Sequence, residues 1–531
     1  MTDMTFDYIV IGAGSAGCVL ANRLSADGRQ RVLLLEAGPK DNNPWIHIPL
    51  GYGRLFKHPI LNWGYSTAPE PGMRGRRISQ PRGRVLGGSS SINGLLYVRG
   101  QREDFDSWRA AGHVGWGYDD LLPYFIRAED QMRGADAFHG VGGPLSVSDP
   151  TEPHPLCDAF IAAAVEAGHP LNPDFNGARQ EGAGYYQATA RRGRRVSSAV
   201  AYLRTAKGRA NLRVVTKALA LRIMFEGKRA VGVEYTGEHG LERARAKGEV
   251  ILSAGAINSP QLLELSGVGD GKRLRSLGLP IVHHEPAVGA DMQDHLQARI
   301  VYRAAQACTL NDDLRSPIRM ARLGLRYLLQ RKGGLTLSAG YAGGFFRSPR
   351  AADSRPDIQI HFITFSTDAM GTALHPFSGF TATACPLRPH SRGHVHITSP
   401  NPADPPEIFA NYLADPRDQA DIVAGVGVIR DILSQPAMRP FIAEELYPGP
   451  SVASDQAVLD YVRATGGSLY HPSCTAALGT VVDDRLKVKG VEALRVVDAS
   501  IMPAVISGNT NAAVIAIAEK GADLILQGAC S

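Results

Sequence analysis

The chain has 531 residues, 44% hydrophobic and 20% charged, which is too long for one small core and ordinary for a globular protein of two domains. Lys and Arg exceed Asp and Glu by 57 to 51, a formal charge of +6 with no long basic block, which argues against nucleic-acid binding. The six cysteines, Cys18, Cys157, Cys308, Cys385, Cys474 and Cys530, show no Cys-x-x-Cys spacing. They do not form a disulfide framework and they fit a reducing compartment.

Met1 leads within a few residues into the first strand, leaving no room for a signal peptide, and no apolar run reaches the roughly eighteen residues of a spanning helix. The expected location is the cytoplasm, with peripheral attachment to the inner membrane face left open. Tyr8 to Ile11 is a short apolar run of the kind that forms a buried parallel strand. Gly12, Gly14 and Gly17 then match G-x-G-x-x-G: a tight turn, a close backbone approach to a pyrophosphate, and close helix–strand packing. A helix follows through Val19, Leu20 and Leu24, ending near Asp27-Gly28, and Arg31 to Leu35 is the next buried strand. It delivers Glu36, 22 residues after Gly14, where an acid meets ribose hydroxyls and repels a 2′-phosphate. FAD and NAD share the adenosine diphosphate, so this loop leaves both open.

Gly83 to Gly94 is a second backbone-rich loop. Its glycines and serines let the main chain lie against a flat ligand, and Asn93 offers donors and an acceptor. Val85, Leu86 and Ile92 argue against a disordered linker. Asp357 to Phe362 and Gly393 to Ile397 alternate apolar with polar residues and read as strands of a second sheet, with Ser399 to Pro406 a loop. Among the 16 histidines neither His283-His284 nor His394-x-His396 has metal-site spacing, so no metal is expected. Near the C-terminus His471-Pro472 stands in a loop, and Ala512 to Ile525 reads as a helix for which Asn509 suits an N-cap.

Gly83-Arg84-x-Leu86-Gly87-Gly88-Ser89-Ser90-x-Ile92-Asn93 resembles the first motif of the glucose–methanol–choline (GMC) family of FAD-dependent oxidoreductases. Ser253-Ala254-Gly255-Ala256-Ile257-Asn258-Ser259-Pro260 is similar to its second. His471-Pro472-Ser473-Cys474-Thr475, Val497-Asp498-Ala499-Ser500 and Asn509-Thr510-Asn511-Ala512 resemble its C-terminal part. The closest likeness is to the choline dehydrogenase-like bacterial alcohol dehydrogenase branch.

The resemblance implies an α/β fold, α+β overall. A Rossmann-like FAD-binding domain would comprise residues 1–155, 191–290 and 465–531. A substrate domain of 156–190 and 291–464 would carry an antiparallel sheet flanked by helices. It places Gly12, Gly14, Ser15, Ala16, Gly17, Glu36, Ala37 and Ala220 around the ADP half of FAD. Val85, Gly88, Asn93, Gly94 and Leu95 would line the flavin half, closed by Asp498, Ala499, Thr510 and Asn511. Some relatives attach FAD through a histidine where this chain has Ile92, so a non-covalent cofactor is expected.

The implied reaction is oxidation of a primary alcohol, with His471 the general base and Asn509 a hydrogen-bond donor to the substrate oxygen, since an amide cannot accept the proton. Electrons would pass to a quinone or other acceptor. An O₂-using oxidase and a non-redox lyase or photodecarboxylase remain open alternatives. Tyr470 and Tyr341 are expected in the substrate pocket. Choline-type relatives have a glutamate where Tyr341 stands before Gly343-Gly344-Phe345, so a neutral alcohol is favoured over choline. Ala476-Ala477-Leu478-Gly479 departs from the family's bulkier pattern.

Overall fold

The computed structural model describes residues 4–238 and 240–529; Cys530 lies outside them. The apolar runs of the N-terminal segment form the centre of a mixed sheet. Its strand order is Leu212–Thr216, Val32–Glu36, Met4–Ile11, Gly240–Leu252, Arg229–Gly237 and Leu219–Glu226. The first four run parallel to one another, as do Leu494–Val496 and the end of Gly240–Leu252; the last two add antiparallel. Val32–Glu36 is buried at every position, as expected of a strand covered on both faces. The helices Ser15–Leu24 and Asn511–Ala529 pack on each other beside this sheet.

The second sheet is antiparallel throughout, in the order Ile442–Tyr447, Leu296–Ala304, Gly379–Pro386, Ile358–Ile363, Ala342–Phe346 and Gly182–Tyr185. The fold is therefore α/β with one mixed and one antiparallel sheet. Side chains alternate across each strand. Ile358, Ile360, Phe362, Ala382, Ala384 and Ile300 enter an apolar core. Residues between them, among them His361, Thr383 and Arg299, face the interval between the two sheets and line a cavity there. The alternation expected of 357–362 is present, but its polar face meets that cavity rather than bulk water.

One expectation needs correction. The Gly393–Ile397 segment does form a strand, His394–His396, but outside the second sheet. It pairs with Glu407–Phe409 as a separate two-stranded ribbon, because the Pro-rich turn at 399–406 folds the chain straight back on itself.

Candidate active site

The two glycine loops touch. Gly87 N–H donates to Ala13 O at 2.8 Å, and a Cβ on Gly88 would lie 2.6 Å from Gly14 Cα, so only glycine permits this approach. Gly14 caps the helix Ser15–Leu24 without a side-chain bond. The first helical bond there is made by Cys18 N–H, which leaves the N–H groups of the opening turn directed along the axis toward an anion.

Glu36, at the end of its strand, accepts from Ala13 N–H at 3.0 Å and Gly38 N–H at 2.8 Å. Burial pushes its carboxyl up to about 7, against those two bonds and Arg84. Arg195 ties the second loop down, its guanidinium donating to Ile46 O, Ser90 O, Asn93 Oδ1 and Asn93 O at 2.6–3.2 Å. Burial without a carboxylate lowers the Arg195 pKa to about 9.

A cavity of about 280 Å³ runs from Glu36 and Ala220, past Gly14 and Asn93, to His471 and Asn509. All the residues expected at the site line it except Gly17, Val85 and Tyr341. Gly17 instead packs helix on turn, since a Cβ there would meet Gly12 O at 1.9 Å. Val85 is buried behind the loop with Ile46, Leu55 and Ile92. The Tyr341 hydroxyl donates to Glu152 O at 2.7 Å within the apolar core of the antiparallel sheet.

At the far end three imidazoles and two amides converge. His295 Nε2 lies 2.9 Å from Leu387 O, and its Nδ1 lies 2.9 Å from His471 Nδ1. A carbonyl only accepts, so the proton of neutral His295 is on Nε2 and its Nδ1 is an acceptor. His471 must then carry its own proton on Nδ1, which leaves its Nε2 as an acceptor. Asn509 Nδ2, 3.2 Å away, is the matching donor, and Asn509 Oδ1 takes a bond from Gln359 Nε2 at 3.1 Å. Asn509 thus bonds the imidazole rather than capping the helix, which begins at Asn511.

Burial first, then His295, His361 and Arg82, holds the His471 pKa well below its ordinary value, so the ring is neutral at pH 7. Burial likewise lowers His361 to about 4. The His471 loop is fixed by Asp294, which accepts from His471 N–H (2.7 Å), Ser468 Oγ (2.5 Å), Tyr412 Oη (2.5 Å) and Gln80 Nε2 (2.9 Å). Tyr470 sits at φ 69°, a left-handed conformation unusual for tyrosine, with its ring 5.1 Å from Phe56. His295, Asp294, Gln359 and Arg195 are functional neighbours that sequence reasoning missed. Of these only Gln359 carried a signal, the alternating polar face of 357–362.

The GMC oxidoreductase model matches residues 6–297 with its N-terminal part and 389–518 with its C-terminal part. The chain is 43% identical to an alcohol dehydrogenase [acceptor] from Pseudomonas putida, over 98% of this chain and 96% of that one. It is 45% identical to the mitochondrial choline dehydrogenase of Mus musculus, over 98% and 89%. Pyridoxine 4-oxidase from Mesorbium loti superposes with a TM-score of 0.88 at 32% identity, covering 97% of this chain and 98% of that one. The chain belongs to the GMC oxidoreductase family and is an FAD-dependent oxidoreductase acting on CH–OH donors. The cavity fits that cofactor: a buried carboxylate at one end, an uncapped helix N-terminus at the middle, and a neutral imidazole at the other end.

Proposed function

We propose that this chain oxidises a primary alcohol to an aldehyde with His471 as general base, and passes the electrons to a quinone or another acceptor. Gly12, Gly14, Ser15, Ala16, Glu36, Ala37 and Ala220 would hold the ADP half of a non-covalent FAD. Gly88, Asn93, Gly94, Leu95, Asp498, Ala499, Thr510 and Asn511 would hold the flavin half. Ile92, buried in the cavity wall, has no group to form a covalent link.

The observation that carries the reading is the directed chain from Leu387 O through His295 to the unprotonated Nε2 of His471. A substrate hydroxyl placed against Nε2 gives up its proton there, and Asn509 Nδ2 is positioned to donate to the oxygen left behind. Bound FAD supplies the two-electron acceptor for the hydrogen that leaves carbon with its electron pair. The test is anaerobic addition of primary alcohols to the purified yellow protein. Bleaching of the flavin supports the reading, and its absence with every alcohol refutes it.

The proposal includes peripheral attachment to a membrane. On the helix Pro317–Gln330, Ile318, Leu325, Leu328 and Leu329 are 82%, 58%, 68% and 74% exposed. At 3.6 residues per turn they share one stripe. Arg319, Arg322 and Arg326 run along its flank, Arg326 also pairing with Glu152, and the chain from Leu314 to Lys332 contains no acid. An apolar stripe edged by guanidinium groups suits the headgroup boundary of an anionic bilayer, where a lipophilic quinone would be met. Sedimentation with phosphatidylglycerol-containing vesicles should carry the enzyme down, and Leu325→Glu with Leu329→Glu should leave it in the supernatant. Equal sedimentation of that variant would refute the docking face.

A further inference from the structure

Resting on the redox reading above, we infer that Arg299 is a substrate subsite that takes a carboxylate at the far end of the alcohol. Arg299 lies on the strand Leu296–Ala304 directly opposite Thr383, and Thr383 lies directly opposite His361. Residues so paired share a face of the sheet, and all three line the cavity that ends at His471.

The guanidinium is buried, yet it is nearly unpartnered. Its Nη2 makes one long bond to Thr367 O at 3.3 Å, and its Nε has no partner. Asp368, a carboxylate whose charge reaches it, is 83% exposed and bonded to His375 Nε2. Unlike Arg195, which four oxygens complete, Arg299 is a buried cation lacking both a counter-charge and a full set of acceptors, a costly arrangement that a bound anion would relieve.

Other charges in the cavity leave this role to Arg299. Arg82 is committed, its Nε and Nη2 each 2.6 Å from a backbone oxygen, those of Pro81 and Tyr470. The lining carboxylates are Glu36 and Asp498. Glu36 is held by backbone N–H groups at the adenosine end. Asp498 is held by Gly255 N–H, Ser259 Oγ and Ser500 N–H and Oγ at 2.6–2.9 Å. The substrate end is therefore cationic. A planar carboxylate matches the guanidinium fork, whereas a quaternary ammonium alcohol such as choline meets like charge.

The test compares ω-hydroxyhexanoate with hexanol, and choline with its uncharged carbon isostere, by anaerobic flavin bleaching of the holoenzyme. The hydroxy acid should exceed hexanol in kcat/KM by about tenfold or more, and Arg299→Gln should cut that ratio by roughly 10- to 150-fold, the range for a charged hydrogen bond. Arg299→Lys should retain part of the preference, and Arg299→Glu should favour choline over its isostere. Calorimetry adds a readout independent of turnover: hexanoate should bind the holoenzyme and fail to bind the Arg299→Gln protein. An unchanged ratio in Arg299→Gln, or undiminished hexanoate binding by it, overturns the subsite. Were no alcohol to bleach the flavin, the redox reading would fail and the hexanoate titration alone would decide Arg299.

Discussion

Replacing His295 by phenylalanine tests whether His471 is held in one tautomer. In the native site the Nδ1–H of His471 donates to His295 Nδ1 at 2.9 Å, because the other nitrogen of His295 is committed to Leu387 O. Phenylalanine fills similar space and offers no acceptor, so the His471 proton is left buried and unpaired. That costs about 1–3 kcal/mol. The ring escapes by moving the proton to Nε2, which removes the lone pair facing the substrate and opposes the Asn509 donor. At about 1.4 kcal/mol per decade, the fraction of competent tautomer falls roughly 5- to 150-fold. Stopped-flow bleaching under anaerobic conditions should show this as a lower limiting rate, with flavin content and apparent substrate affinity near the native values. His295→Gln, whose amide oxygen accepts, should recover most of the loss. A phenylalanine variant as fast as the native enzyme, or a glutamine variant as slow as the phenylalanine one, would refute the tautomer relay.

His471→Ala should slow bleaching by roughly 10²–10⁴-fold while the protein stays yellow; native rates in that variant would remove His471 as the base. Because burial holds His471 well below its ordinary pKa, the native bleaching rate should be flat across neutral pH and fall only in acid. Arg195→Met leaves the oxygens of Ile46, Ser90 and Asn93 without donors, and should destabilise the fold by at least ~1–3 kcal/mol in urea titrations and release flavin. Arg195→Lys should not restore it, since one ammonium cannot span four acceptors. Glu36, at about 7 in the fold against 4.5 ordinarily, makes flavin-depleted protein pH-sensitive. Its contribution is fully present below about pH 4.5 and is lost as pH rises through about 7, ~3 kcal/mol in all. Glu36→Gln should flatten that urea-midpoint profile.

The cofactor half was legible because its signals are local. A strand, Gly12, Gly14 and Gly17, a helix and Glu36 lie within one βαβ unit, and each glycine answers a backbone approach that a side chain would block. The substrate half was less so. His295 and His471 stand 176 residues apart, and nothing in either segment announces the other; the contact exists because Leu296–Ala304 pairs with Gly467–Ser468 across the site. Alternation in 357–362 correctly implied two faces, but the period of a strand does not say whether its polar face meets water or a buried cavity. Gln359 and His361 were hidden by that ambiguity. Tyr341 was placed by motif likeness next to the pocket, but it stands just before the strand Ala342–Phe346, where its ring enters the core and its hydroxyl bonds Glu152 O.

One strand joins the two ends of the reaction. His295, which fixes the proton on His471, and Arg299 are four residues apart on the same stretch of chain, a separation of roughly 13 Å at strand rise. Asp294, one residue earlier, anchors the His471 loop by accepting from His471 N–H and Ser468 Oγ, and Ser468 Oγ in turn accepts from Tyr470 N–H. The base, its tautomer and the cationic subsite are thus set by positions 294, 295 and 299 of a single extended segment, not by independent loops. A sheet pinned by Thr383 and Ser468 on either side cannot slip one residue without turning Arg299 away from the cavity. The distance between a substrate's charged end and its reacting carbon is consequently read by a rigid element. Substrate preference should therefore respond to chain length in steps, with the best length unchanged by mutations in the surrounding loops.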